Sequence, residues 1–305
     1  MSVDSFCSTV GGLIPQVTGT LTNTKFQAGT VFVDHASDFV YTHFQVDQTT
    51  DSAIEVKEAY ERQMAQMNVV IKNYHADNGI FASRGFADHI HQSNQHIDYC
   101  GVSAHFQNGI AENAIKINNG NARSMLLHAM FRWPKVVKSN LWPFAVALAD
   151  WNRNNLCIQA NGLTSVEHLH GIHDDIEEKL KQLHPFGCLA FVLAAPLQDR
   201  NKIPKWDSRV RVGAYVGRSP RHAGSVAMIL NPSTGHVSPQ FHVVFDDSFS
   251  TIDELNNGYK PENWEILYKT STEFVGEEVL KVAQDWQQGE SKVISEMAWQ
   301  TNRHK

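Results

Sequence analysis

The sequence predicts an α/β protein, a mixed five-stranded sheet with flanking helices followed by a small β-barrel. Three observations carry that expectation. Strand-like and helix-like stretches follow one another in the first 160 residues as three strands, helix, strand, helix, strand, then helices. After about residue 183 the β-forming runs become short and are divided by Gly, Pro, Asn and Ser. A hydrophobic content of 42%, with 10% aromatics, over 305 residues is enough to fill two cores.

Taken in order, residues 2–8 suit a first strand that Gly11 and Gly12 should break. Thr30 to Asp34 is β-branched and aromatic, and Phe39 to Val46 alternates, so three consecutive strands imply an antiparallel meander. Residues 51–67 place Ile54, Ala59, Met64 and Met67 near helical spacing among charges. Val69 to His75 reads as a fourth strand, residues 86–93 as a short helix and His96 to Cys100 as a fifth strand. From Gly109 to Met130 no proline intervenes, which favours one long helix ended by Trp133-Pro134. Ser139 can cap a further helix whose Leu141, Phe144, Ala145, Leu148 and Trp151 share a face. Thr164 and Glu167 form a capping box closed by Gly171, so His168, His170 and His173 read as helix-end residues and not as a metal cluster. Cys188 to Val192, Val210 to Val216, Val226 to Leu230 and Val243 to Phe245 supply the barrel. The expected organisation is a catalytic-type core over 1–160, a helical connector over 161–183, the barrel over 184–249 and an acidic, partly disordered tail over 250–305 that carries Trp264, Trp286 and Trp299.

Charge and cysteines narrow the function classes. The net charge is −6, and residues 246–305 alone hold twelve Asp/Glu against six Lys/Arg, so the rest of the chain is neutral. Within it Arg200, Lys202, Lys205, Arg209, Arg211, Arg218 and Arg221 crowd together with only Asp199 and Asp207 opposing them, a candidate phosphate-binding stripe. Cys7, Cys100, Cys157 and Cys188 are far apart, which excludes a zinc ribbon and a disulfide scaffold and suggests buried free thiols. No run of eighteen apolar residues and no signal-like start are present, so the reading is soluble and intracellular, with no membrane partner.

Three acids stand out by position. Asp4 lies inside the first strand, Asp77 ends the fourth just before the turn residues Asn78-Gly79, and Glu112 is in the first turn of the long helix, thirty-five residues later. Such a cluster is too negative to persist without cations, and its hard oxygen ligands favour two Mg²⁺ or Mn²⁺ ions.

His75-Ala76-Asp77-Asn78-Gly79 and Gln107-Asn108-Gly109-Ile110-Ala111-Glu112-Asn113 resemble the second and third catalytic motifs of retroviral and copia-type integrases, at that family's interval. Leu141-Trp142-Pro143-Phe144-Ala145, Pro185-Phe186-Gly187-Cys188, Gly213-Ala214-Tyr215-Val216-Gly217 and Phe241-His242-Val243-Val244-Phe245-Asp246 continue the likeness, which covers roughly residues 2–249. The resemblance implies an RNase H-like core and an SH3-like barrel from a copia-like LTR retrotransposon polyprotein. It also implies metal-dependent transfer of element DNA 3′ ends into target DNA, performed in the nucleus by a homo-oligomer on double-stranded DNA without a small-molecule cofactor. Asp4, Asp77 and Glu112 are then the catalytic metal ligands, with Asp4 preferred to Asp34 as the first acid. Asn78, Gln107, Asn108, Lys116 and Arg123 are the expected DNA contacts near them, and Lys202, Lys205, Arg209 and Arg211 those on the barrel. Two departures qualify it: the zinc module that precedes the family's core is missing before Met1, and Asn113 stands where a basic residue is usual. A catalytically silent DNA-binding remnant is the alternative, with a cellular RNase H-like nuclease third.

Overall fold

The structure, a computed structural model, describes residues 1–15, 22–101, 105–198 and 201–252. The expectations for Arg200 and for the tail beyond residue 252, with its three tryptophans, lie outside the described residues.

Five strands build the first sheet: β1 (Ser2–Gly12), β2 (Phe26–Val33), β3 (Val40–Gln45), β4 (Asn73–Ala76) and β5 (His96–Tyr99). They lie side by side as β3-β2-β1-β4-β5. β1, β2 and β3 form the antiparallel meander, and β4 and β5 add in parallel beyond β1. The parallel strands need crossovers, which α1 (Thr50–Gln66) and α2 (Arg84–Gln92) provide. Thr49 caps α1 by accepting from the Ser52 N–H at 3.2 Å, and Ser83 does the same for α2 through Phe86. Both helices cover one sheet face, where Val3, Phe32, Tyr60, Tyr74 and Phe86 interlock and the Phe32 and Tyr60 rings stack at 4.5 Å.

The other face carries α3 (Gly109–Arg132) and α4 (Trp142–Leu156). Ala111 and Ala114 of α3 meet Val31, Val33 and Val40. α4 begins with Pro143 in its first turn, a position that forfeits no hydrogen bond. From Trp142 to Asp150 every residue of α4 except Ala147 is buried, and Asn154 is buried in the turn after. The reason lies beyond it: a second, fully antiparallel sheet packs on α3 and α4 from outside. Its strands are β6 (Leu189–Leu193), β7 (Val210–Arg218), β8 (Ala227–Leu230), β9 (Val237–Gln240) and β10 (Val243–Asp246), in the order β10-β6-β7-β8-β9. Gly187, at φ +79, lies so close to α3 that a Cβ there would stand 2.3 Å from that of Ala129. Two short helices, α5 (Ser165–His170) and α6 (Ile176–Lys181), connect the parts; α5 has the expected Thr164–Glu167 capping box and ends at left-handed Gly171.

Four expectations are corrected. β1 does not break at Gly11 and Gly12 but pairs Gly12 with Phe26 after an irregular register. Gly12 is instead where the strand touches α4, since a Cβ would sit 2.4 Å from Pro143, and Trp142 Nε1 donates to the Val10 carbonyl at 2.8 Å. β4 starts at Asn73, not Val69, because β5 and β1 offer partners only from there. The helix expected to be capped by Ser139 begins at Trp142, after a 3₁₀ turn over Ser139–Leu141. Cys7 and Cys157 are exposed, leaving Cys100 and Cys188 as the buried thiols. Among the described residues no helix is long and apolar enough to cross a membrane.

Candidate active site

The β1–β4 pairing places two of the three acids. Ser2 is level with His75 and Val3 with Ala76, the residues that directly precede Asp4 and Asp77. Adjacent strands are about 4.8 Å apart, and level residues of parallel strands project to the same side. Local hydrogen bonds orient both carboxylates: Asp4 Oδ1 accepts from the Ser5 N–H at 2.7 Å and Asp77 Oδ1 from the Gly79 N–H at 3.1 Å. Asn78 fixes the chain after β4 by donating to the Cys100 carbonyl at 2.7 Å.

Glu112 arrives from α3, and the helix start is tied to the same two strands. Asn108 Nδ2 donates to the Val3 carbonyl at 3.0 Å, one residue before Asp4. The Gln107 carbonyl lies 3.2 Å from His75 Nε2, two residues before Asp77, while the Gln107 side chain accepts from the Gly101 N–H at 2.7 Å. Glu112 follows Asn108 by one helical turn and so shares its face of the helix. Cys100 registers the convergence. Burial pushes its thiol up, and the charges of Asp77, Glu112 and Asp4 push it further.

Among the described residues no three His, Cys, Asp or Glu side chains are gathered tightly enough to hold a metal ion. The donor set fits a hard divalent cation, consisting of oxygens alone on two strands and a helix start. Asp34, the rejected candidate, is occupied elsewhere: its Oδ2 accepts from the N–H groups of Ala36 and Ser37 and from the Ser37 hydroxyl, closing the β2–β3 turn.

The expected DNA contacts separate by exposure. Asn78, Gln107 and Lys116 are exposed around the acids, and Lys202, Lys205 and Arg209 on the second sheet's side of the chain. Lys205 lies 4.9 Å over the ring of Trp206, itself 88% exposed. Arg123 and Arg211 are half-buried, and burial lowers the pKa of each guanidinium. Asn108 is fully buried and holds β1 through its hydrogen bond to the Val3 carbonyl. Cys100 was missed as part of the site; its position one residue after β5 was the available signal.

No protein-family model and no curated protein matches the sequence. Among solved structures, the chain is similar to the HTLV-2 integrase catalytic core domain in complex with magnesium. For its trimeric form the identity is 18%, over 55% of this chain and 93% of that one, with a TM-score of 0.36. For its dimeric form the values are 18%, 55%, 94% and 0.36. It is also similar to the simian T-cell lymphotropic virus intasome in complex with PP2A regulatory subunit B56 gamma, at 18% identity over 80% of this chain and 77% of that one, with a TM-score of 0.40. Likeness this distant does not by itself say what the chain does.

Proposed function

We propose that the chain is an integrase of the copia-like retrotransposon kind, transferring DNA 3′ ends into target DNA with Asp4, Asp77 and Glu112 as its catalytic acids. One observation supports this reading: the β1–β4 pairing runs up to the residues just before Asp4 and Asp77, while Asn108 ties the start of the Glu112 helix to β1. The three acids would hold Mg²⁺ or Mn²⁺, which when bound supply positive charge to the attacking and leaving oxygens of a phosphodiester. The chain's own part is positioning. β1 and β4 fix two carboxylates, α3 presents the third, and Asn78, Gln107 and Lys116 are exposed around them for the DNA backbone. In the transfer a DNA 3′ hydroxyl attacks a target phosphorus, a new P–O bond forms, and the target's P–O3′ bond breaks with the proton passing to that oxygen. The transfer is a single displacement at phosphorus and needs no covalent protein intermediate. The second sheet is read as an SH3-like barrel, and several copies would join two DNA ends.

The test is strand transfer by the full chain on DNA with recessed 3′ ends, with Mn²⁺ or Mg²⁺. Asp4→Asn, Asp77→Asn and Glu112→Gln should each lower product by at least on the order of a hundredfold. DNA binding and thermal stability should stay within about twofold and a few degrees. The silent DNA-binding remnant is the second reading. DNA binding without any product from the unmodified chain would establish that alternative.

A further inference from the structure

A second site lies away from the three acids, between α6 and the second sheet. There a cavity of about 170 Å³ is lined by Lys181, Gln182, His184, Tyr215, Arg218 and Ser225 among others, with no carboxylate in its wall. Arg218 is half-buried; one nitrogen, Nη2, donates to Gln182 Oε1 at 3.0 Å, and the guanidinium lies 4.3 Å over the Trp151 ring. Its Nη1 is buried with no hydrogen-bond partner. The Tyr215 hydroxyl in the same wall is also buried without a partner, on a residue only 1% exposed. Asp247 acts on Tyr215 from a distance, but it sits behind His184, whose Nδ1 it meets at 2.9 Å.

Buried donors left unmet are costly, and the two residues that carry them both line this cavity, where an acceptor from outside would meet them. A guanidinium with no paired acid calls for a negative one. Gly224 keeps the space open, because a Cβ there would stand 2.6 Å from Arg218 Nη2 and 3.0 Å from Gln182 Oε1. The volume lies well below the roughly 300 Å³ at which small-molecule sites begin, so it suits one tetrahedral group and not a cofactor.

We infer that this cavity binds a single phosphate group, held by the Tyr215 hydroxyl and the Arg218 guanidinium with Lys181 at its rim. The phosphate belongs to a DNA backbone or to a free phosphate ester. The site does not depend on the three acids and can fail or stand without them.

The experiment titrates the full chain with inorganic phosphate, reading heat of binding and the shift in melting temperature. Binding should saturate, and Tyr215→Phe and Arg218→Gln should each weaken it on the order of tenfold. Tyr215→Phe keeps the ring and should melt no lower than the unmodified chain without phosphate, so a loss of binding there is not a loss of fold. A blunt DNA duplex that displaces phosphate, and binds Arg218→Gln more weakly, assigns the site to the DNA backbone. Displacement by a nucleoside monophosphate but not by duplex assigns it to a free ester. Absence of saturable phosphate binding, or equal binding by both variants and the unmodified chain, overturns the proposal.

Discussion

Asp150 shows most sharply what one residue can cost. It is wholly enclosed between α3 and α4, where it accepts from Asn118 Nδ2, and Arg153 reaches Asn118 from the next turn at 3.4 Å. Burial pushes its carboxyl up to about 7, although the hydrogen bond from Asn118 and the charge of Arg153 pull the other way. The unfolded chain releases this proton near pH 3.9, so between there and about 7 the native state holds a proton that the unfolded state has lost. Stability from this group therefore falls as pH rises through that window and is level above it. Asp150→Asn should flatten the dependence by roughly 3 kcal/mol, seen as urea midpoints at pH 5 and pH 8 that differ less than in the unmodified chain. Identical pH slopes in the two proteins would refute the assignment. Nothing in the sequence marks Asp150, since Asn118 lies thirty-two residues away. Asp4 and Asp77 stand out in the sequence because a carboxylate inside a strand or at its end is unusual. Asn108 is read as a DNA contact because a polar residue beside a motif looks like one; the fold adds that its amide donates to Val3.

At the scale of elements, Asn154 of α4 closes the free edge of the first sheet. Asn154 accepts from the Val40 N–H at 2.9 Å and donates to the Val40 carbonyl at 2.6 Å, imitating a neighbouring strand at the start of β3. Asn154→Ala would strand both backbone groups in a buried place, and chemical denaturation should show a loss of about 2–4 kcal/mol. A loss below about 1 kcal/mol would mean that water reaches them. Most elements were legible within a few residues because the meander alternates and α1 and α2 have clear caps and faces. β9 was not, because Pro239 within it argues against a strand; at the sheet edge that proline costs no ladder bond. α4 was read as one-faced, whereas it is buried against both sheets, a condition that erases the polar stripe.

Across the whole molecule, the change of composition near residue 183 marks where the second sheet begins but not a separate core. Leu126 and Ala129 of α3, Phe144 and Leu148 of α4 and Leu189, Tyr215 and Ile229 of the second sheet belong to one buried cluster. Pattern along a chain cannot reveal that, because the shared surface joins residues a hundred positions apart. Calorimetry of the full chain should accordingly show one cooperative transition through residue 252, and two resolved peaks would disprove the shared core. Gly187→Ala, forced to φ +79 against Ala129, should lower that single transition by about 3 kcal/mol or more. The two-sided cover of α4 also governs how the protein can be cut. A polypeptide stopped near residue 160 would keep every candidate catalytic acid yet bare Leu126, Ala129, Phe144 and Leu148 as an oily stripe across two helices. Such a piece would stick to itself, and its clumping could pass for genuine self-assembly.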